Sequence, residues 1–257
     1  MAATASDGAG PDVAFTRARA AVYELLASAF DGDIETLAEA MADGSFHELA
    51  SVLPVAVEVD PLVADDPDPE ALSIGYDNLF VVPGPHYVPP FASAHADEPS
   101  HEFESDSAFH EAGSAGELYG DPAARMARRY ERLGFTPERG DGIPDHVAAQ
   151  LSFLSTLAAA RADADDAAGD ALQEIERETL AAMGWLDAFD EAVAGQDRAE
   201  GVFAALSRLT RTIVAWDAKR ARGEDDTNPQ RRRHESATKT TRIRNEDETQ
   251  PDGFDRR

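Results

Sequence analysis

Apolar residues recur at steps of three and four through segment after segment of this 257-residue chain, and nowhere do they alternate over a strand's length. That period gathers them on one face of a helix, and such a face has to be buried against another helix. The pattern therefore restricts the chain to an all-α helical bundle, which 257 residues could form as one large domain or two small ones; a single-domain bundle is the expectation. A first helix is predicted over 12–30, with Phe15, Ala18, Val22, Leu25, Leu26, Ala29 and Phe30 on its inner face. A second, over 33–50, uses Ile34, Leu37, Met41, Phe46 and Leu49, with Gly44 as a break or bend. Asp68-Pro69 supplies a cap and a first-turn proline for a helix over 69–82 that carries Leu72, Tyr76, Leu79 and Phe80. Val82-Pro83-Gly84-Pro85 ends it.

From 83 to about 120 five prolines impose a long loop, a length that in a compact domain is often functional, with a short helix expected at 105–117. Asp121-Pro122 repeats the cap-plus-proline signal, and Ala124, Ala127, Tyr130 and Leu133 follow up to Gly134. Pro144-Asp145-His146 opens the next helix, which Val147, Leu151, Leu154, Leu157 and Ala158 carry to about 161. Two more are predicted at 167–194 and 198–220, with Trp185 and Trp216 at core-compatible positions. The folded domain is thus expected over 12–222. Residues 1–11 are small and acidic and 223–257 are charged and polar, with Ile243 and Phe254 the tail's larger apolar residues. Neither segment buries enough surface to offset its ordering entropy, so both are expected to be disordered, the tail as an inert solubilising extension rather than a docking segment.

Charge excludes several partners. Residues 1–218 hold twelve basic and 41 acidic residues, a net of −29, whereas 219–257 is slightly basic at +2. Acidity spread over almost every segment reads as a surface adapted to high salt, ahead of the alternative of a specific basic partner. Either way, so negative a body repels nucleic acid and anionic membranes. The chain has no cysteine, which removes disulfides, thiolate metal sites and a cysteine nucleophile. With no apolar run of membrane-spanning length and no basic, apolar start, a cytoplasmic location without stable membrane association is expected.

Catalytic signatures are sparse. There is no glycine-rich phosphate loop and no nucleophile elbow. His86, His95, His101 and His110 share their loop with many carboxylates, but at spacings that match no metal site, so neither metal nor cofactor is expected. Asp145-His146 is the most enzyme-like pair, since a carboxylate can orient an imidazole for general-base work. Adjacent helical residues point about 100° apart, however, and an acid in a helix's first turn is favoured by the macrodipole alone. A metal-dependent hydrolase built on Asp145, His146 and the loop histidines stands as the rival class. Leu79 and Phe80, at a helix end facing the Pro-rich loop, suit either core or one wall of a peptide groove.

Four motifs carry a resemblance. Tyr76-Asp77-Asn78-Leu79-Phe80 runs into Val81-Val82-Pro83-Gly84-Pro85, followed by Val88-Pro89-Pro90-Phe91-Ala92-Ser93. Pro144-Asp145-His146 precedes Leu151 and Phe153-Leu154; Trp185-Leu186 precedes Phe189; and Leu206, Leu209-Thr210 and Trp216-Asp217 close the series. In order and spacing they resemble the TorD/DmsD/NarJ-like chaperones over roughly 12–222. The resemblance implies an all-helical chaperone, not an enzyme, that binds the twin-arginine leader or apo form of a molybdopterin-dependent reductase's catalytic subunit, assists cofactor insertion and delays export. A dimethyl-sulfoxide-reductase-type client is the leading expectation and a nitrate-reductase-type complex the alternative. By motif match it implies peptide-binding roles for Leu79, Phe80, Pro89, Pro90, Ser93, Asp145 and His146, with Asp145 suited to an arginine of the peptide. Where family members carry an acid just before Pro-Asp-His, this chain has Gly142-Ile143, with Asp141 nearest. Monomer and homodimer are both compatible.

Overall fold

A helix enclosed on every side over its first two turns has no face there to give to water, and the bundle is arranged around one such helix. It is α6 (Val147–Asp163), on which Val147 through Leu151, then Phe153, Leu154, Leu157 and Ala158, are all buried. The structure, a computed structural model, describes residues 11–52, 56–96, 120–197 and 201–224. α1 (Pro11–Phe30) lies along α6, with small residues such as Ala20, Ala27 and Ala148 letting the two approach closely. Ser155 Oγ donates to the Ala20 carbonyl across that contact at 2.9 Å. α7 (Asp166–Ala182) covers a further side of α6, and α9 (Val202–Ala221) packs on both α7 and α8 (Leu186–Gln196). Three short helices, α2 (Ile34–Ala42), α3 (Ser45–Val52) and α4 (Pro69–Tyr76), fold back beside the end of α1, and α5 (Asp121–Leu133) leans on α7. Among the described residues there is no strand, only one isolated antiparallel bridge, Phe91 to His146.

Local signals account for most boundaries. Asp33, Asp68 and Asp165 each accept backbone N–H groups at the start of α2, α4 and α7. Gly134 ends α5 in the left-handed region, φ 63°. Gly44, at φ 81°, divides the helix expected over 33–50 into α2 and α3.

Three expectations are corrected. The helix expected over 167–194 is broken by a single 3-10 turn at Met183–Trp185. Gly184 weakens the helix there, and the bend turns Trp185 toward Gln150 and Phe189. Phe15 is 42% exposed, meeting Trp216 edge-on; the inner stripe of α1 runs instead through Arg19, Tyr23, Leu26, Ala27 and Phe30. Leu133 is also exposed, because Phe135 beyond the turn takes the place against Tyr130 and Phe153. Trp185 and Trp216 are both half-buried at the edge of the core. The expected helix at 105–117, the segment 1–10 and the tail from 225 lie outside the described residues.

One core position is charged. Arg19 is 6% exposed and bridges Glu176 on α7 and Asp217 on α9, both fully buried. Tyr23 donates to the same Asp217 oxygen at 2.6 Å, Arg220 binds its other oxygen at 2.7 Å, and Arg161 on α6 reaches Glu176. Burial works to raise the Asp217 carboxyl, but Arg19 and Arg220 outweigh it and hold it below its ordinary value. The group pins α1, α6, α7 and α9 in one register. Removing one partner from such a buried set strands a charge. Asp217→Asn is expected to lower unfolding free energy by about 3 kcal/mol in urea titration, with the m-value unchanged; a loss below about 1 kcal/mol would mean the network is not a structural tie.

Candidate peptide-binding site

The site begins where α4 loosens. After Tyr76 the helix widens into a π turn, Asp77–Val81, which adds a residue to the turn and lets Leu79 and Phe80 both face inward. Phe80 meets Phe30, Tyr76, Phe189 and Phe203 with ring centroids 5.4–5.9 Å apart, and Tyr76 donates to the Phe30 carbonyl at 2.9 Å. The chain then reverses through exposed Pro83–His86, and Val88 N–H donates back to the Leu79 carbonyl at 2.7 Å.

The Pro-rich segment returns across the start of α6. Val147 N–H donates to the Pro90 carbonyl (2.8 Å) and Ala92 N–H to the Asp145 carbonyl (3.0 Å), which together make the Phe91–His146 bridge. Side chains fasten the same crossing. Asp145 Oδ2 accepts from both Ser93 N–H (2.7 Å) and Ser93 Oγ (2.5 Å), while Oδ1 is buried with no hydrogen-bond partner. Burial raises the Asp145 carboxyl, and the Ser93 bonds counter only part of that. His95 Nε2 donates to the Pro89 carbonyl at 2.8 Å, and its ring stacks on Trp185 with centroids 5.5 Å apart.

His146 is the N-cap of α6: its Nδ1 accepts from Ala148 N–H at 3.1 Å. The ring packs on Gly140, which sits at φ 67°; a Cβ there would come within 2.5 Å of the imidazole, so the position admits only glycine. Burial lowers the imidazole to about 4, opposed by Asp141, whose charge favours the protonated ring. Tyr130 donates to the Pro144 carbonyl at 2.6 Å and completes the turn.

All seven residues named from the sequence are therefore brought to one crossing. Six of them are buried as frame: Leu79, Phe80, Pro90, Ser93, Asp145 and His146; Pro89 is half-buried. Sequence reasoning missed Gly140 and Gln150 and read His95 and Tyr130 in other roles, as a loop histidine and a helix-face residue; all four hold the crossing. Gly140-Asp141-Gly142, one residue ahead of Pro144, is the available signal. Gln150 links the crossing to Trp185, donating to the Asp145 carbonyl and accepting from Trp185 Nε1, each at 3.2 Å. Beside it opens a cavity of about 350 Å³ lined by Ala92, Met126 and Gln150 and by the charged Arg125, Arg129 and Glu178. Asp145 and His146 turn to different partners and do not address a common proton. His101 and His110 lie outside the described residues, among which no group of three or more potential metal ligands occurs. No helix among them is long and apolar enough to cross a membrane.

The cap gives a pH signature. The imidazole titrates near 6.5 when unfolded and about 4 when folded, so between these values the unfolded chain binds the extra proton. The contribution of His146 is complete above pH 6.5 and is lost as pH falls through 4, by on the order of 3 kcal/mol. Asp145, raised by burial, acts in the opposite sense. His146→Asn retains a capping acceptor that does not titrate, so its stability in a urea series from pH 7 to 4 is expected to fall less steeply than that of the wild type. Parallel curves would show that His146 does not carry the dependence.

Residues 24–191, from within α1 to within α8 and including the whole crossing, match a protein-family model described as the nitrate reductase delta subunit. No curated protein and no solved structure matches the chain. A match over well more than half of the chain, on the all-helical fold described above, assigns it to the nitrate reductase delta subunit family, whose members are assembly chaperones for molybdoenzymes.

Proposed function

We propose that this chain is a cytoplasmic chaperone that holds the catalytic subunit of a molybdopterin-dependent reductase during cofactor insertion and acts by binding, not catalysis. The delta-subunit match favours a nitrate-reductase-type client over the dimethyl-sulfoxide-reductase-type client expected from the motifs. The observation that carries a peptide-binding mode is Asp145, a buried carboxylate with one oxygen held by Ser93 and the other without a partner. It lies beneath a Pro-rich segment whose outer part, Pro83–His86, is exposed. Release of Ser93 frees a carboxylate for a guanidinium, and retreat of the segment that pairs with Leu79 through Val88 opens the apolar wall of Leu79 and Phe80 to the same peptide. A twin-arginine leader, with arginines followed by an apolar stretch, has that composition. A hydrolytic role for Asp145 and His146 finds no support in their geometry, since His146 Nδ1 is engaged in the helix cap.

Calorimetric titration with leader peptides from molybdoenzymes of the same organism tests this. Asp145→Asn is expected to weaken binding at least tenfold, equivalent to about 1.4 kcal/mol. Ser93→Ala, which removes the competing hydroxyl, is expected to strengthen it severalfold. Unchanged affinity in Asp145→Asn would move the groove elsewhere. Absence of binding to any leader, with co-elution of an intact catalytic subunit, would assign recognition to the client's folded body.

A further inference from the structure

The outward face of α4 and its π turn carries an apolar strip that nothing covers among the described residues. Ile74 is 56% exposed, and Val81 and Val82 are each 53% exposed. Ile74, Asn78, Val81 and Val82 are all exposed, while Leu72, Leu79 and Phe80 are buried in the core. The surroundings are anionic without relief. No Lys or Arg occurs in the sequence between Arg19 and Arg125. The eleven carboxylates from Glu35 to Asp77 are all exposed, and none forms an ion pair among the described residues. Glu70 and Asp77 adjoin Ile74 on its own helix, and α2 packs beside α4.

The complementary charge lies in the chain's own last segment. Residues 219–257 hold eleven of its 23 basic residues, including Arg231-Arg232-Arg233 and the run Lys239-Thr240-Thr241-Arg242-Ile243-Arg244. That run places one apolar side chain between two guanidinium groups. The reach is sufficient. α9 starts against the inner side of α4, where Phe203 packs on Phe80 at 5.6 Å and on Tyr76 at 6.1 Å. It ends about 30 Å away at its helical rise. The 18 residues that follow Glu224, up to Arg242, span about 60 Å when extended and about 23 Å as a flexible coil.

We propose that the segment Arg231–Arg244 docks on the outer face of α4, its cations on Glu70, Asp77 and the α2 carboxylates and Ile243 on the Ile74–Val81 strip. Tethering makes this an intramolecular contact at high effective concentration. A basic peptide from outside has to displace it. This reading replaces the expectation of an inert extension, and it stands apart from the identity of the client.

The chain's two lysines, Lys219 and Lys239, make the test direct. Carbodiimide joins lysine amines to carboxylates in contact with them, and mass spectrometry of the full-length chain locates the links. Lys239 is expected to couple to carboxylates within 35–77 in the same chain, with Lys219 coupling only near the end of α9. The Lys239 yield is expected to fall at least fivefold in Arg231→Ser/Arg232→Ser/Arg233→Ser and in Ile74→Ser/Val81→Ser, whose changed side chains on α4 are exposed. Links from Lys239 only to carboxylates of the tail or of α5–α9 would overturn the proposal. So would an unchanged yield in Ile74→Ser/Val81→Ser. Hybrid links in a mixture of isotopically light and heavy chains would give the face to a second copy instead.

Discussion

A helix buried from its first turn cannot leave its leading amides to water, and that constraint organises the centre of this molecule. The α6 amides at Val147 and Ala148 need acceptors inside the protein. One is the carbonyl of Pro90 and the other is the ring nitrogen of His146. The Pro-rich segment is therefore part of how α6 is capped. Its own position is fixed in turn by Ser93 on Asp145 and His95 on the Pro89 carbonyl. A proline suits this place because it offers a carbonyl without demanding a partner for an N–H of its own. Whatever binds at the crossing competes with contacts that hold the central helix, which couples occupancy of the site to the stability of the bundle.

The helical architecture was legible because its signals are local and strong. Asp68-Pro69, Gly134 and Gly44 act within a turn or two of themselves, and the structure uses each as read. What escaped depends on distant partners. Nothing near Arg19 in the chain marks a cation facing the core, since its partners Glu176 and Asp217 lie on other helices. Gly184 was visible as a residue, but its effect as a break follows from Trp185 having Gln150 to reach. Phe15 fits the period of α1 and is still exposed, because a period gives a face and not the place where the neighbouring helix ends.

The seven residues drawn from motif resemblance do converge in space. Their burial carries information that their order in the sequence does not: motif positions here build the frame of a crossing, and in the proposed binding mode a peptide reaches them only by displacing the Pro-rich segment. The cavity with Arg125, Arg129 and Glu178 adjoins that frame and contains none of the seven. A short Pro-Asp-His motif is legible as a helix start, but its dependence on Gly140 appears only once the imidazole is seen packed on that backbone.

The π turn after Tyr76 has a consequence for how this region can change. A π turn is one residue inserted into a helix whose remaining turns are left in register. Excising a single residue between Asp77 and Val81 would restore an ordinary α-helix and leave the chain beyond it in register, with one side chain fewer in the turn. Leu79 and Phe80 could then no longer both face inward while Tyr76 kept its bond to the Phe30 carbonyl. The extra residue of the wide turn thus serves the packing of Leu79 and Phe80, and its loss would be felt there and not in the chain beyond.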